Sequence, residues 1–103
     1  MKYIKQYEDI NNIELDDYVV CIDTFTKNIE LSEFIQTNIG QVVKIVYDVN
    51  YYVQYDNIPE QLKSNFDDLS LKNTRLMNKH EIIESSKNKE DLVHLITANK
   101  YNL

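Results

Sequence analysis

One glycine, one proline, one alanine, one cysteine and no tryptophan stand among 103 residues. Each scarcity excludes something. With Gly40 alone, no glycine-rich loop can cradle a phosphate through successive backbone N–H groups. With Cys21 alone, no internal disulfide forms, and a reducing, cytoplasmic setting is expected. No apolar run approaches the roughly 20 residues of a membrane-spanning helix. The opening Met1-Lys2-Tyr3-Ile4-Lys5 lacks the apolar stretch of a secretory signal, so no membrane association is expected. Basic residues are also short, 11 against 17 acids, for a net charge of −6. A phosphate backbone is met by clustered Lys and Arg. The sparse set Lys63, Lys72, Arg75, Lys79, Lys87 and Lys89 does not supply that, so direct nucleic-acid binding is not expected.

What remains suits one globular domain over residues 1–103, with 43% hydrophobic residues and no linker or repeat. Asn and Ile occur twelve times each and Tyr eight times. This bias toward AT-rich codons marks the genome of origin, with phages and their low-GC hosts as typical sources. The charge is uneven. Residues 1–35 hold eight acids and three lysines, whereas the remainder is almost balanced.

Hydrophobic spacing sets the expected elements. Residues 18–23, Tyr-Val-Val-Cys-Ile-Asp, read as a strand after the turn signal Asp16-Asp17, and 24–28 as a polar loop. Residues 29–39 suit a short helix with Leu31, Phe34 and Ile35 on one stripe, capped by Ser32 or starting one turn earlier. Gly40 then suits a left-handed stop or a sharp turn into a strand. Residues 41–49 alternate, with Val43, Ile45, Tyr47 and Val49 on one face and Val42, Lys44 and Val46 on the other. A turn at 48–50 returns the chain through strand 51–55, making a hairpin. Tyr51, Val53 and Tyr55 share one face of that strand, opposite Tyr52. Pro59 suits a first helical position, with Leu62 and Phe66 one turn apart. Residues 67–73 read as loop and 75–77 as a short strand, after which Asn78 caps a turn through His80 and Glu81. The last element is a helix over 89–99, capped by Asn88, with Leu92, Leu95, Ile96 and Asn99 on one face.

Asp16-Asp17-Tyr18-Val19-Val20-Cys21 resembles the opening of a small SH3-like barrel, where a turn leads into the first strand; Asp16 stands where glycine is usual. The spacing to Asn38-Ile39-Gly40-Gln41-Val42-Val43-Lys44-Ile45 and then Tyr52-Val53-Gln54-Tyr55-Asp56 is similar to a hairpin of such a barrel. The order of these pieces, with Tyr55-Asp56-Asn57-Ile58-Pro59 and the segment 81–92, also resembles small phage proteins. The resemblance implies an α+β fold: a small SH3-like, partly open antiparallel barrel or sheet with two or three short helices, one of them C-terminal. The Ala-Leu-Tyr-Asp-Tyr type signature of peptide-binding SH3 domains is absent, so no proline-rich peptide site is carried over.

Catalytic and metal chemistry find little to build on. Cys21 lies in a strand between Val20 and Ile22, as a buried structural cysteine does. His80-Glu81 has no second His at helical spacing, so no zinc motif forms. His94 borders the apolar stripe of the last helix and is expected to be partly buried. Asp67-Asp68 lacks the alternating ligands and glycine of a calcium loop. No enzyme activity, cofactor or metal is expected.

The expected function is therefore binding. An acidic surface from Glu8, Asp9, Glu14, Asp16, Asp17, Asp23, Glu30 and Glu33 would meet a basic partner, with Tyr47, Tyr51, Tyr52 and Tyr55 as aromatic anchors. Size, charge and the phage resemblance together point to a phage-encoded inhibitor of a host defence nuclease, of the anti-CRISPR kind, occluding a basic nucleic-acid channel. The alternative is an SH3-like scaffold that self-associates, for example as a homodimer through an exposed strand edge.

Overall fold

A computed structural model describes residues 13–66 and 72–102, the last five by backbone alone. Five antiparallel strands form one open sheet in the order β4-β3-β2-β1-β5. They are β1 (Tyr18–Cys21), β2 (Gly40–Val46), β3 (Asn50–Gln54), β4 (Thr74–Asn78) and β5 (Ile82–Ser86). Helix α1 (Ile29–Gln36) fills the β1–β2 connection. Among the described residues three 3-10 helices follow: η1 (Glu60–Asn65), η2 (Lys79–Glu81) between β4 and β5, and η3 (Lys89–Leu92). The last leads into the C-terminal helix α2 (Val93–Asn102).

The chain enters β1 through Asp16, whose φ of 72° is the left-handed value that glycine usually supplies. Aspartate tolerates that region better than most residues. Helix α1 starts at Asn28, whose side chain accepts from the Leu31 N–H at 3.1 Å. Ser32 therefore lies inside the first turns and does not cap. Gly40 has no left-handed backbone. It is glycine because a Cβ there would run into Val53 Cγ1 and reach Tyr55 Cζ at 3.0 Å.

The β2–β3 hairpin turns one residue earlier than its sequence indicates. Val46 pairs with Asn50, so Tyr47, Asp48 and Val49 form the turn. The register also shifts between Val42 and Lys44, which marks a β-bulge at Val43. Val42 opposes Val53 and Ile45 opposes Tyr51, so Val42 and Ile45 share the inner face. An uninterrupted alternation had placed them on opposite faces.

The main core lies between that inner face, α1 and η1. Leu31 and Ile35 of α1 meet Val19, Cys21, Val42, Val53 and Tyr55, with Leu62 and Phe66 below. Phe34, Tyr55 and Phe66 form an aromatic trio with ring centroids 5.5–5.8 Å apart, in tilted and edge-on geometries that suit their quadrupoles. On the other face a smaller cluster joins Val20, Leu92 and Ile96 to Tyr18, Ile39 and Leu95. The sequence reading had no strand at 82–86, which is β5. At the last helix Asn88 occupies the cap position but its side chain makes no capping bond.

Candidate functional site

Three of the acidic residues singled out from the sequence, Glu14, Asp17 and Asp23, are paired with basic side chains. Glu8 and Asp9 lie outside the described residues. Asp17 is buried, and its two carboxylate oxygens accept from the Glu14 N–H at 2.9 Å and from Lys87 Nζ at 2.6 Å. Glu14 pairs with the same ammonium. Lys87 thus bridges both acids across an open cleft of about 350 Å³ that is also lined by Ser85, Ser86, Asn88 and Asp91. Its pKa is raised to about 12, chiefly by the hydrogen bonds to Asp17 and Glu14. Asp23 faces Arg75, whose Nε and Nη2 donate to Oδ2 at 2.8 and 2.6 Å. Asp16, Glu30 and Glu33 are exposed, with Glu30 accepting from Gln61 Nε2.

The four tyrosines divide as well. Tyr51 and Tyr55 point into the core at 2% and 1% exposure, so neither can anchor a partner. Tyr52 is half-buried on the other face of β3. Tyr47 is 89% exposed at the tip of the β2–β3 turn. The alternation of β3 decides this split, since residues 51, 53 and 55 face inward together.

What the fold does bring together is a rim of loops around η2. Asn78 Oδ1 accepts from the His80 N–H at 2.9 Å, and Glu81 Oε1 accepts from the Asn78 N–H at 3.1 Å, a reciprocal cap. The second Glu81 oxygen reaches a distant loop, accepting from Thr24 N–H at 2.9 Å and Thr24 Oγ1 at 3.2 Å. The Ile22 N–H donates to the Glu81 carbonyl at 2.8 Å. From the other side of η2, the Lys79 N–H donates to the Val49 carbonyl at 2.9 Å. One short turn therefore holds both the 22–28 loop and the 47–49 turn.

Each of those loops is further tied down. Asp23 Oδ1 accepts from the Phe25 and Thr26 N–H groups at 2.9 Å each. Burial pushes the Asp23 carboxyl up, but those two bonds and the Arg75 guanidinium outweigh it and hold it below its ordinary value. At the turn, Tyr51 Oη donates to the Asp48 carbonyl at 3.1 Å. Tyr47 and Asp48 hold φ of 55° and 56°. For a bulky side chain such as Tyr47 that region costs about 1 kcal/mol or more, and it persists where surrounding bonds over-determine it.

On these fixed loops large apolar side chains face water. Phe25 is 77% exposed and Ile29, four residues on, 74%; Tyr47 and Val49 are 89% and 49% exposed on the turn. Phe25 escaped the sequence reading because 24–28 read as a polar loop. The signal was an aromatic set among Thr, Lys and Asn, with no periodicity to place it in a core.

Other reactive groups sit apart. Cys21 is fully buried, and burial pushes its thiol up to about 12, against a smaller lowering by Tyr55. His80 is exposed, and so is His94, contrary to its expected packing role; it borders a cleft with Glu84 and Ser86 of β5. Among the described residues, no three His, Cys, Asp or Glu side chains are grouped as a metal site requires. The Asp67-Asp68 pair lies outside the described residues. No family model, curated protein or solved structure matches the chain.

Proposed function

We propose that this chain is a non-catalytic protein-binding module that docks through the rim around η2, with Phe25 and Tyr47 as its anchors. The observation that carries the reading is the combination of rigidity and exposure. Two loops are pinned by hydrogen bonds to one turn, and each presents a large aromatic side chain to solvent. Ordering a loop in advance removes part of the entropy cost of binding, and aromatic residues dominate interface hot spots. The proposal extends to an SH3-like fold. It is supported by the strand order, by the single-turn η2 joining the last two strands and by the bulge that bends β2.

The narrower reading, an anti-CRISPR-like inhibitor that covers a basic channel, needed a contiguous acidic surface. Three of its carboxylates are instead held by Lys87 and Arg75. Small size and net charge still favour it, but the site's geometry does not select it. The test is affinity capture with the wild-type chain beside a Phe25→Ala, Tyr47→Ala double variant. Both positions are exposed, so the variant is expected to melt within about 0.5 kcal/mol of wild type. Proteins retained by the wild type and lost from the variant support the rim. An identical set on both baits overturns it.

A further inference from the structure

We propose that the partner seated on Phe25 is a second copy of this chain, which receives that side chain in a cavity at the opposite end of α1. The inference rests on the reading of Phe25 as an anchor. The cavity has a volume of about 200 Å³ and an apolar floor from Ile39, Val93 and Ile96. Asp56, Asn57 and Lys89 stand at its rim. It is smaller than the roughly 300–1,000 Å³ of sites that enclose a drug-sized ligand, and its scale is that of one aromatic side chain. Phe25 precedes α1, and Thr37 and Asn38 beside the cavity follow it. Eight helical residues span about 12 Å, so a chain cannot fill its own cavity with a side chain held by the Asp23 turn.

The unpaired charges beside Phe25 and beside the cavity can complement one another. Copies at −6 repel one another overall, the excess acid lying in residues 1–35. The Phe25 side carries Lys27 and Glu30, and the cavity side carries Asp56 and Lys89. None of the four has an ion-pair partner among the described residues. Lys27 can therefore meet Asp56 while Glu30 meets Lys89. A knob and a cavity at different places on one chain make a head-to-tail contact, which grows into a ring or filament rather than a two-fold dimer.

The experiment is sedimentation velocity with light scattering on the full chain, over micromolar to millimolar concentrations and two salt levels. Wild type is expected to associate beyond a dimer. Association should persist from about 0.05 to about 0.5 M salt, because screening weakens the net repulsion and the exposed ion pairs together while leaving the Phe25 contact. Phe25→Ala removes the knob, and Val93→Glu blocks the cavity at a position 50% exposed, so both variants fold. Each alone should weaken association tenfold or more. Mixed, the Val93→Glu knob still fits the Phe25→Ala cavity, and the pair stops at a 1:1 heterodimer. A wild type that stays monomeric at millimolar concentration, or association that survives Phe25→Ala, overturns the inference. If the wild type is monomeric while capture still depends on Phe25 and Tyr47, the docking rim stands and only its occupant was wrong. If neither assay depends on Phe25, both readings fall together.

Discussion

Tyr55 and Gly40 illustrate how single residues are chosen by space. Tyr55 is fully buried beside Cys21, and among the described residues its hydroxyl meets nothing stronger than that weakly bonding thiol. A hydroxyl left unpaired in the interior costs about 1–3 kcal/mol. Tyr55→Phe is therefore expected to leave stability unchanged or raise it by up to about 1 kcal/mol, read from urea melts. A clear loss would mean the hydroxyl has a partner. Gly40→Ala should do the opposite. Its Cβ would enter the space of Val53, which is itself completely buried and has nowhere to move. Overpacking of this kind costs about 1–3 kcal/mol. The sequence marked Gly40 as either a left-handed stop or a sharp entry into a strand; it is the latter, the first residue of β2, and the close approach of Val53 is what spacing could not show. Asp16 is the converse case, a non-glycine that does adopt the left-handed conformation.

Elements were legible where their signals were local. The helix stripe of Leu31, Phe34 and Ile35, the inward set Tyr51, Val53 and Tyr55, and the Asn78 cap were all readable from spacing. The bulge at Val43 was not, because one added residue inverts the face of everything after it while leaving the β-rich composition intact. Strand β5 was missed for a related reason. Ile82-Ile83-Glu84-Ser85-Ser86 is short, lacks clean alternation and ends in serines, and it becomes a strand by pairing with β1. Glu81 shows what such pairings support. Glu81→Ala would leave the Thr24 N–H, the Thr24 hydroxyl and the Asn78 N–H without their acceptor. At about 1–3 kcal/mol for each group that stays buried, a loss of about 3 kcal/mol is expected. Amide exchange at Thr24 should accelerate more than exchange in β3. Uniform acceleration would show that Glu81 supports the fold at large rather than this loop.

For the whole molecule, pH exposes which charges stability depends on. Asp23 has a depressed folded pKa, so its contribution is present above the unfolded carboxylate value of about 4 and is lost as pH falls through the lower folded value. Tyr55 and Lys87 have raised folded pKa values, the first chiefly through burial, the second chiefly through its bonds to Asp17 and Glu14. Both keep their protons longer when folded. Their contributions are full below about pH 10, the unfolded value, and fade above it, that of Lys87 as pH rises through about 12. Cys21, whose thiol is likewise pushed up to about 12, adds a loss that begins at its unfolded value of about 8.5, so urea midpoints should form a plateau between about pH 4 and about pH 8.5 and fall on both sides. Tyr55→Phe should make the alkaline fall shallower. An alkaline limb unchanged in that variant would place the loss elsewhere.

The sequence by itself determined the class of the molecule: an α+β fold with a β2–β3 hairpin, an amphipathic helix before it and a helix after the last strand. These follow from hydrophobic periodicity and turn chemistry, which act over a few residues and survive without tertiary context. Only the tertiary structure decided which charges and aromatics were available. Lys87 lies seventy residues from Asp17, and Arg75 lies fifty-two from Asp23. No local pattern could announce that these pairs would take the acidic residues out of a common surface. The same holds for Phe25. Its loop looked like an ordinary polar connection until a glutamate fifty-seven residues from Thr24 held it in place with the aromatic ring facing water. Side-chain availability depends on contacts between distant segments, and those contacts exist only once the sheet has brought its strands together.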